Sequence, residues 1–342
     1  MQDSLTTQKN TIKILFILLI VFFIADVCLG TVYIEPGQVL DAILGLKNPQ
    51  TGKTVRYIVT ELRLPRAIMA VLTGAGLAIA GLLMQTLFKN PLAGPFVLGI
   101  SSGAGLGVAL VIMGATAFGL GVISGIGIIT ASVVGSLAVL LLIILMSLRI
   151  NDTMGLLIVG LMVGSLSSAI VGILSYFSSS EELKRYVFWS LGSLGNINWD
   201  DLLIITFLFL IVIVLLFWII KPLNALLLGE SYALSLGINI KKTRWIIIII
   251  TSILAGSITA FAGPIAFIGL AVPHLSRLIL PTVNHKILIP MAILLGATLL
   301  LFCDLVSQLP FSSYSLPINA VTSLLGAPLI IWLIMRKRNL HF

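Results

Sequence analysis

The sequence contains little charge. Asp, Glu, Lys and Arg make up only 9% of its 342 residues, and they fall mostly in short gaps between long apolar runs. In a lipid bilayer every backbone N–H and C=O must bond within its own segment, and about 20 apolar helical residues cross the hydrocarbon core. The composition therefore excludes a water-soluble protein and predicts an all-α polytopic membrane protein. Ten runs are long enough to be transmembrane helices: residues 12–29, 67–87, 96–113, 120–148, 156–177, 202–220, 245–262, 265–280, 287–302 and 316–335.

Cysteine and histidine are also scarce. Cys28 and Cys303 lack C-x-x-C spacing, so we interpret them as small buried hydrophobic residues. The three histidines include no i, i+4 pair for a metal ion, and no paired carboxylates share a helix face inside the apolar runs. We therefore expect no catalytic residue, no metal site and no cofactor.

A complete phosphate-binding loop is missing as well. Residues 51–54 (Thr-Gly-Lys-Thr) look like the end of such a loop. The motif needs a glycine five residues before its Gly-Lys pair, however, and Lys47 stands there. Any nucleotide hydrolysis that drives this protein is therefore expected on another chain.

The connections between the apolar runs are too short to fold separately. We expect residues 1–342 to form a single transmembrane domain, with residues 1–11 as a cytoplasmic tail. The net charge of +8 could suggest nucleic-acid binding. The basic residues are scattered among the connections without a patch or an arm, so we expect no nucleic-acid partner.

The positions of Lys and Arg predict the orientation, because cytoplasmic connections carry an excess of both. With a cytoplasmic N-terminus, thirteen of the 20 basic residues lie inside and seven outside, so we expect both termini in the cytoplasm. A docked partner would explain why most of the outside set precedes residue 67, and anchoring to lipid headgroups is the simpler alternative. The outside set is Lys47, Lys53, Arg56, Arg63, Arg66, Lys184 and Arg185.

Glycine and proline are concentrated in residues 90–107. Gly99 and Gly103 are one helical turn apart, and small residues at that spacing allow close helix packing or face a cavity. Packing is the plainer explanation, whereas the neighbouring prolines favour a translocation path. We take Asn90, Leu92 and Thr153 as candidate path or gate residues, and helix capping explains Asn90 and Thr153 equally well.

The longest connection predicted in the cytoplasm covers residues 222–243. Apolar residues repeat there at helical spacing, Pro222 can begin a helix, and Gly229 and Gly237 can each end one. The pattern predicts two short helices at the membrane surface. They form either an amphipathic linker that rests on lipid or a knob, with Glu230 as its single acid, that fits a groove on a partner.

Two acids, Asp26 and Asp304, lie near the predicted outer ends of their helices. We expect water to reach both carboxylates, and we expect them to have a structural or interfacial role. A deeper position would favour a proton-coupled transporter, because ionisable groups inside a bilayer are usually functional.

Five sequence blocks span nearly the whole chain: residues 62–66 (LRLPR), 85–93 (QTLFKNPLA), 229–237 (GESYALSLG), 263–274 (GPIAFIGLAVPH) and 316–328 (LPINAVTSLLGAP). In this order they resemble the FecCD-type permeases of bacterial ABC importers, the family for iron-siderophore, haem and vitamin B12 uptake. The resemblance implies a type II importer permease of the cytoplasmic membrane, with two copies of ten helices each as a homodimer or a pair of similar chains, and a translocation path along their shared axis.

The resemblance also implies two kinds of protein partner. An extracytoplasmic binding protein would deliver the chelate, and its carboxylates would meet Arg63 and Arg66, whose planar guanidinium groups suit bidentate pairing. Gln308 stands where some relatives have another docking arginine, and Ser315 departs from the family's Glu-Leu-Pro pattern. Two cytoplasmic ATPase subunits would grip the coupling residues Leu228, Gly229, Glu230, Ala233, Leu236 and Gly237.

Two other functions remain open at this point. A secondary transporter driven by an ion gradient would need essential intramembrane charges and no ATPase, and the coupling segment argues against it. An intramembrane enzyme would need a nucleophile with a base or a metal site, for which the sequence offers no residues. The resemblance does not choose among siderophore, haem and vitamin B12.

Overall fold

The chain is almost entirely helical. The structure, a computed structural model, describes residues 2–46, 52–114, 125–150, 152–312 and 314–335. A π-helix (Ile58–Arg63) leads into the fourth α-helix and a short 3-10 helix (Pro95–Leu98) precedes the fifth. Within the described ranges the α-helices are α1 Gln2–Cys28, α2 Pro36–Leu44, α3 Lys53–Tyr57, α4 Leu64–Phe88, α5 Ile100–Gly114, α6 Gly125–Arg149, α7 Thr153–Phe177, α8 Ser180–Ser190, α9 Trp199–Leu227, α10 Glu230–Ser235, α11 Ile240–Ala262, α12 Ile268–Ile279, α13 His285–Ser307 and α14 Ile318–Met335.

Ten of these helices correspond to the ten predicted transmembrane runs. Among the residues that the structure describes, seven spans are long and apolar enough to cross a bilayer, and α5, α12 and α14 are shorter apolar helices. The predicted all-α polytopic fold is therefore confirmed. Some residues used in the sequence analysis lie outside the described residues. They are Lys47, Thr51 and the basic residues 336–338.

The structure differs from the prediction around Pro222. This proline does not begin a helix; it lies inside α9, which continues to Leu227, so one short helix (α10) follows instead of two. The side chains of Leu223 and Leu226 are buried against the bundle. Their packing explains why the helix continues through a proline that would end it on local preference alone.

Two other helix boundaries also differ. Helix α1 begins at Gln2, so the expected tail is helical almost from its start. Helix α12 begins at Ile268 rather than at residue 265, because Gly263 (φ +75°) ends α11 and the chain stays non-helical through Phe267.

Helix α4 lies at the centre of the fold and packs against α9, α11, α12 and α13. Twenty of its 25 residues are buried. Its Gly74 faces Gly296 of α13 and its Gly81 faces Gly269 of α12, and a Cβ at Gly74 or Gly81 would overlap the carbonyl oxygen opposite. In lipid, where apolar helix faces gain little by leaving the solvent, such close backbone approach supplies the dispersion contacts that hold helices together.

The helices at the periphery are far less buried. In the most apolar window of α6 and of α9 only 22% of the residues are buried, and in that of α7 only 17%, against 83% in the span that contains α4. Large side chains such as Phe207, Phe217 and Trp218 point away from the bundle. These faces are available to lipid or to a second protein.

The bundle has two chemically different ends. One end, called here the Arg66 end, gathers the end of α1, the start of α4 and the end of α13. The other, called here the α10 end, gathers α10, the ends of α4 and α9, and the starts of α11 and α13.

The glycine contacts of α4 lead to a stability prediction. We expect Gly81→Ala to lower the free energy of unfolding by about 1–3 kcal/mol or more, because the new methyl group meets backbone atoms that cannot move aside. Thermal unfolding of the detergent-solubilised protein measures the change. Gly172→Ala is the matched control, since that glycine is exposed on α7 with nothing near its Cβ position, and helix propensity should raise stability by up to about 1 kcal/mol there. Equal unfolding midpoints for the two variants would contradict the packing argument.

Candidate coupling and docking sites

The segment Leu228–Gly237 forms a short helix bounded by two glycines. Gly229 has φ +115° and ψ 152°, a conformation that glycine alone adopts without strain, and it separates α9 from α10. Gly237 has φ +75° and releases the chain into α11. The sharp turns therefore require glycine at both predicted positions, and they set α10 as a compact projection at its end of the bundle.

The projection has one buried and several exposed apolar residues. Ala233 is fully buried beneath the helix, so it fixes α10 to the bundle. Leu228 is 67% exposed and Leu236 is 57% exposed, and the side chains of Tyr232 and Leu234 are also more than half-exposed. Large apolar side chains displayed on a short helix and on the residues that flank it, beside charged residues, are typical of a surface that another protein covers.

Glu230 does not stand alone as the sequence suggested. Its carboxylate accepts a hydrogen bond from Arg244 Nη2 at 3.3 Å, which ties the first residue of α10 to α11. The acid is about half-exposed, so the pair adds little stability and mainly orients the two helices. Beside it lies a cavity of about 560 Å³, lined by Glu230, Leu234, Gly237, Ile238, Asn239, Ile240, Lys241 and Arg244.

Three of the predicted path or gate residues lie at the α10 end of the bundle. Asn90 and Leu92 are in the connection that follows α4, and Thr153 is at the start of α7. Asn90 Oδ1 accepts a hydrogen bond from the Leu92 N–H at 2.9 Å and so caps a turn, and the Leu92 side chain is half-exposed. The cap of α7 is the neighbour of Thr153, Asp152, whose Oδ2 accepts from the Gly155 N–H at 3.1 Å.

The two predicted path glycines lie at helix contacts. A Cβ on Gly99 would be 2.8 Å from the carbonyl oxygen of Gly160 in α7, and a Cβ on Gly103 would be 2.6 Å from that of Gly135 in α6. Gly99 also has φ +73° and turns the chain into α5. Both positions thus allow α5 to approach its neighbours closely.

At the Arg66 end, the Arg63 side chain points into the protein. Its Nη1 donates to the carbonyl oxygens of Val27 (2.9 Å) and Cys28 (2.8 Å), the last residues of α1, and its Nη2 donates to that of Val32. Arg63 is buried. A cation at a helix C-terminus satisfies otherwise unpaired carbonyls and is favoured by the helix dipole, so Arg63 fixes the end of α1.

Arg66 pairs with Asp304 of α13. Its Nε donates to Asp304 Oδ2 and its Nη2 donates to Asp304 Oδ1, both at 2.8 Å, and Nη2 also reaches Ser307 Oγ at 3.2 Å. The remaining nitrogen, Nη1, points toward Gly195, and the side chain keeps 22% exposure. Arg66 and Gly195 both line a cavity of about 390 Å³, and Arg66 also lines a second cavity of about 450 Å³.

The expectation that water reaches Asp26 and Asp304 is wrong. Both side chains are almost completely buried, because α1, α4 and α13 close around them. Gln308 Nε2 bridges them, at 2.7 Å from Asp26 Oδ1 and 3.2 Å from Asp304 Oδ2. Gln308 therefore has a structural task that the sequence did not reveal, and the only signal for it was a polar residue four positions after Asp304.

A second polar cluster, at the α10 end, was not predicted from the sequence. It consists of two hydrogen-bonded groups that meet at neighbouring residues of α4: Thr86 bonds His285 of α13, which bonds Asn224 of α9, and Gln85 bonds Arg277 of α12. Gln85, Thr86 and His285 are buried, whereas Asn224 and Arg277 are partly buried. They are polar residues at the ends of apolar helices, which is a detectable signal, but nothing in one sequence places them together. Among the described residues no group of His, Cys, Asp or Glu could hold a metal ion.

Comparison with known proteins decides the family. A model of the FecCD transport family matches residues 18–336. The chain belongs to the FecCD transport family. It is 35% identical to the vitamin B12 import system permease protein BtuC of Klebsiella pneumoniae subsp. pneumoniae over 338 residues, 97% of this chain and 96% of that one. It is 36% identical to BtuC of Salmonella typhi over 336 residues, 96% of this chain and 97% of that one.

One solved structure agrees with an importer permease, and a second shares the fold. A metal-chelate type ABC transporter in an inward-facing conformation superposes with a TM-score of 0.83 at 32% identity, covering 96% of this chain and all of that one. PsaBC from Streptococcus pneumoniae, 16% identical with a TM-score of 0.52 over 88% of this chain and 96% of that one, shares the fold. This FecCD protein is thus a multi-pass permease subunit of an ABC importer, a transport subunit whose ATPase is a separate chain.

The Arg66–Asp304 pair leads to a second stability prediction. We expect Asp304→Ala to lower the free energy of unfolding by about 2–3 kcal/mol, somewhat less than for a fully buried pair because Arg66 keeps some water contact. Asp200→Ala removes an exposed acid from the first turn of α9 and should cost less than about 1 kcal/mol. Replacing both partners, as in Arg66→Met with Asp304→Leu, should recover much of the loss. Thermal unfolding midpoints compare the three variants, and identical midpoints for Asp304→Ala and Asp200→Ala would rule the argument out.

Proposed function

We propose that this permease imports a bulky metal chelate, either vitamin B12 or an iron chelate such as a siderophore complex or haem. The proposal rests mainly on one observation. At one end of the bundle, a glycine-bounded helix displays leucines and a tyrosine, and the chain is related over nearly its full length to importer permeases. Such a helix is suited to receive movement from an ATPase, and in an ABC importer the ATPase is a subunit separate from the permease.

The assembly we propose has two copies of this chain. Helices α6, α7 and α9 bury few of their residues within one copy, so broad apolar faces remain for lipid and for the second copy. The translocation path then runs along the axis between the copies. Two ATPase subunits bind the α10 ends, and one binding protein covers the opposite side of the dimer.

We place the α10 end in the cytoplasm and the Arg66 end outside. This orientation puts both termini inside and agrees with the excess of Lys and Arg at the α10 end. It also places the Arg66 cavities where a binding protein delivers its cargo. A cysteine introduced as Leu228→Cys should stay unlabelled when a membrane-impermeant thiol reagent is added to intact cells, and labelling there would overturn the orientation.

In the mechanism we propose, closure of the ATPase dimer moves α10. The proposed coupling residues are Leu228, Gly229, Glu230, Ala233, Leu236 and Gly237. Ala233 and the ion pair of Glu230 with Arg244 carry the movement into α9 and α11, and the exposed leucines form the contact with the ATPase. The helices beside the axis then rock, so that the path opens on one side at a time. Asn90, Leu92 and Thr153 are the proposed gate, and Gly99 and Gly103 let α5 slide against its neighbours.

The coupling proposal is tested by co-purification of the complex. We expect Gly229→Asp and Leu236→Asp to reduce recovery of the ABC ATPase by about tenfold or more, because each places a charge in a contact that must exclude water. The matched control is Val283→Asp, since Val283 is an exposed apolar residue at the same end of the bundle with the same 57% exposure as Leu236, outside α10. It should leave recovery unchanged.

Two results would refute this part of the proposal. Wild-type recovery of the ATPase with Leu236→Asp would remove α10 from the interface. Uphill uptake of a solute by the permease alone in liposomes, driven by an ion gradient without nucleotide, would instead establish a secondary transporter.

For docking of the binding protein, we propose that Arg66 is the residue that meets a carboxylate. Asp304 occupies one edge of its guanidinium group and leaves Nη1 directed at the 390 Å³ cavity, where a partner's acid can reach it. Arg63 lines the same cavity, but its terminal nitrogens already bond three carbonyl oxygens. Its part in docking is therefore to hold the end of α1 and to add positive charge to the cavity.

The docking proposal is tested with Arg66→Lys. Lysine keeps the charge beside Asp304 but cannot present a second nitrogen to a partner, so we expect binding of the cognate binding protein to weaken about tenfold or more. Arg56→Lys, at an exposed arginine of α3, is the control and should bind normally. Unchanged affinity for Arg66→Lys would contradict the proposal. Mass spectrometry of the ligand retained by the binding protein then identifies the cargo, and a ligand that is not a metal chelate would overturn the proposed substrate class.

A further inference from the structure

The polar cluster at the α10 end connects the last turn of α9 to the loop of residues 89–94. Because α10 follows directly after this turn, the turn is called here the stem of α10. The first link of the cluster joins the end of α9 to the start of α13. Asn224, one turn before Leu228, accepts two hydrogen bonds on Oδ1 from His285, one from the backbone N–H at 2.9 Å and one from Nδ1 at 2.8 Å. A backbone N–H can only donate, which fixes the Asn224 amide with its oxygen toward α13 and places a hydrogen on His285 Nδ1.

The second link joins α13 to α4. With its hydrogen on Nδ1, the neutral His285 ring can only accept at Nε2, so the Thr86 hydroxyl, 2.9 Å away, uses its one hydrogen there rather than on the Leu82 carbonyl oxygen of its own helix, which is also 2.9 Å away. Both side chains are 99% buried. A lost hydrogen bond between these two side chains is not replaced by one to water, so the pair is held in one arrangement. Asn224, which is partly buried, orients the ring from its other side.

The third link joins α4 to the 89–94 loop and to α12. Gln85, the residue next to Thr86, is completely buried and uses both ends of its amide. Its Nε2 donates to the carbonyl oxygens of Pro91 (2.8 Å) and Leu270 (3.1 Å), and its Oε1 accepts from Arg277 Nη1. The loop that contains Pro91 is thereby fixed to the same turn of α4 that His285 holds.

We propose that Asn224 and His285 are positioning residues that make the stem of α10 and the 89–94 loop move as one unit. The first two links join different helices, and the third ties the loop to α4 and α12. Movement of the α9 end therefore either carries the loop along or breaks hydrogen bonds of the cluster. The inference rests on the proposed function for the source of that movement, the ATPase. It adds to it a route by which the movement reaches the proposed gate residues Asn90 and Leu92.

Amide hydrogen exchange in the full-length permease in lipid nanodiscs tests the connection without any partner. We expect Asn224→Ala to speed exchange at the protected amides of Asn90, Leu92 and Ala93 by about fivefold, as the loss of roughly one net hydrogen bond predicts. Asn224→Asp keeps the oxygen that accepts both bonds and loses only the exposed bond that Nδ2 donates to Asn284 Oδ1 at 3.1 Å, so it should restore the slow exchange. Thr86→Val, which keeps the side-chain shape, should speed exchange as Asn224→Ala does, and it serves if that variant fails to fold.

The matched control is Asn239→Ala. Asn239 also lies at the α10 end and caps a helix, accepting from the Lys242 N–H at 3.0 Å, but its side chain is not part of the cluster. Exchange at residues 90–93 should stay at the wild-type rate in this control. A wild-type rate in both Asn224→Ala and Thr86→Val, or an equal rise in Asn239→Ala, would overturn the inference.

A second measurement separates this inference from the proposed function. In the reconstituted importer, Asn224→Ala should bind the ATPase normally but raise the number of ATP molecules hydrolysed per chelate imported by about fivefold, and Asn224→Asp should restore the ratio. Unchanged coupling in Asn224→Ala would overturn the inference even if the importer function holds. If no ATPase associates with the wild-type chain, the proposed function fails, and hydrogen exchange alone still decides whether the connection exists.

Discussion

The backbone contact of α4 with α12 and α13 is the constraint on which the other features depend. Gly74 and Gly81 remove the side chains that would separate these helices, so α4 lies deeper than any helix beside it. Each end of this buried helix then carries a polar residue into the interior, Arg66 at its start and Gln85 near its end. At 1.5 Å per residue the two are about 29 Å apart, close to the thickness of a bilayer core. One rigid element therefore spans from the proposed docking side to the proposed coupling side.

The two polar clusters solve the same physical problem in different ways. At the Arg66 end, charges are buried as a bidentate pair, and Gln308 bridges its acid to Asp26. At the α10 end, two hydrogen-bonded groups made mostly of neutral side chains meet on α4, with Arg277 as the only formal charge among their five residues. A buried charge without a partner costs several kcal/mol, so the pair at the Arg66 end forms a fixed anchor. The cluster at the α10 end ties helix ends to a loop, and such a connection suits a permease that receives movement from an ATPase.

Much of the fold follows from composition and pattern. The ten apolar runs predicted ten helices, because length and the absence of charge suffice where the bilayer leaves the backbone no other structure. The glycines of the coupling segment were predicted correctly as breaks because positive φ angles are a local property. Pro222 was misjudged for the opposite reason: burial of Leu223 and Leu226 is a tertiary effect, and it outweighs the local preference of proline.

The sequence by itself determined that this chain spans a membrane and roughly where its ten apolar helices lie, and its motif blocks placed it in a family of importer permeases. Only the tertiary structure decided which polar residues meet. Arg66 and Asp304 are 238 positions apart and Thr86 and His285 are 199 apart, so no local pattern pairs them. The two arginines of one short motif look equivalent in sequence, yet one is enclosed by carbonyl oxygens and the other keeps a nitrogen toward a cavity. That difference arises because helix packing, rather than residue type, determines which donor groups remain unpaired.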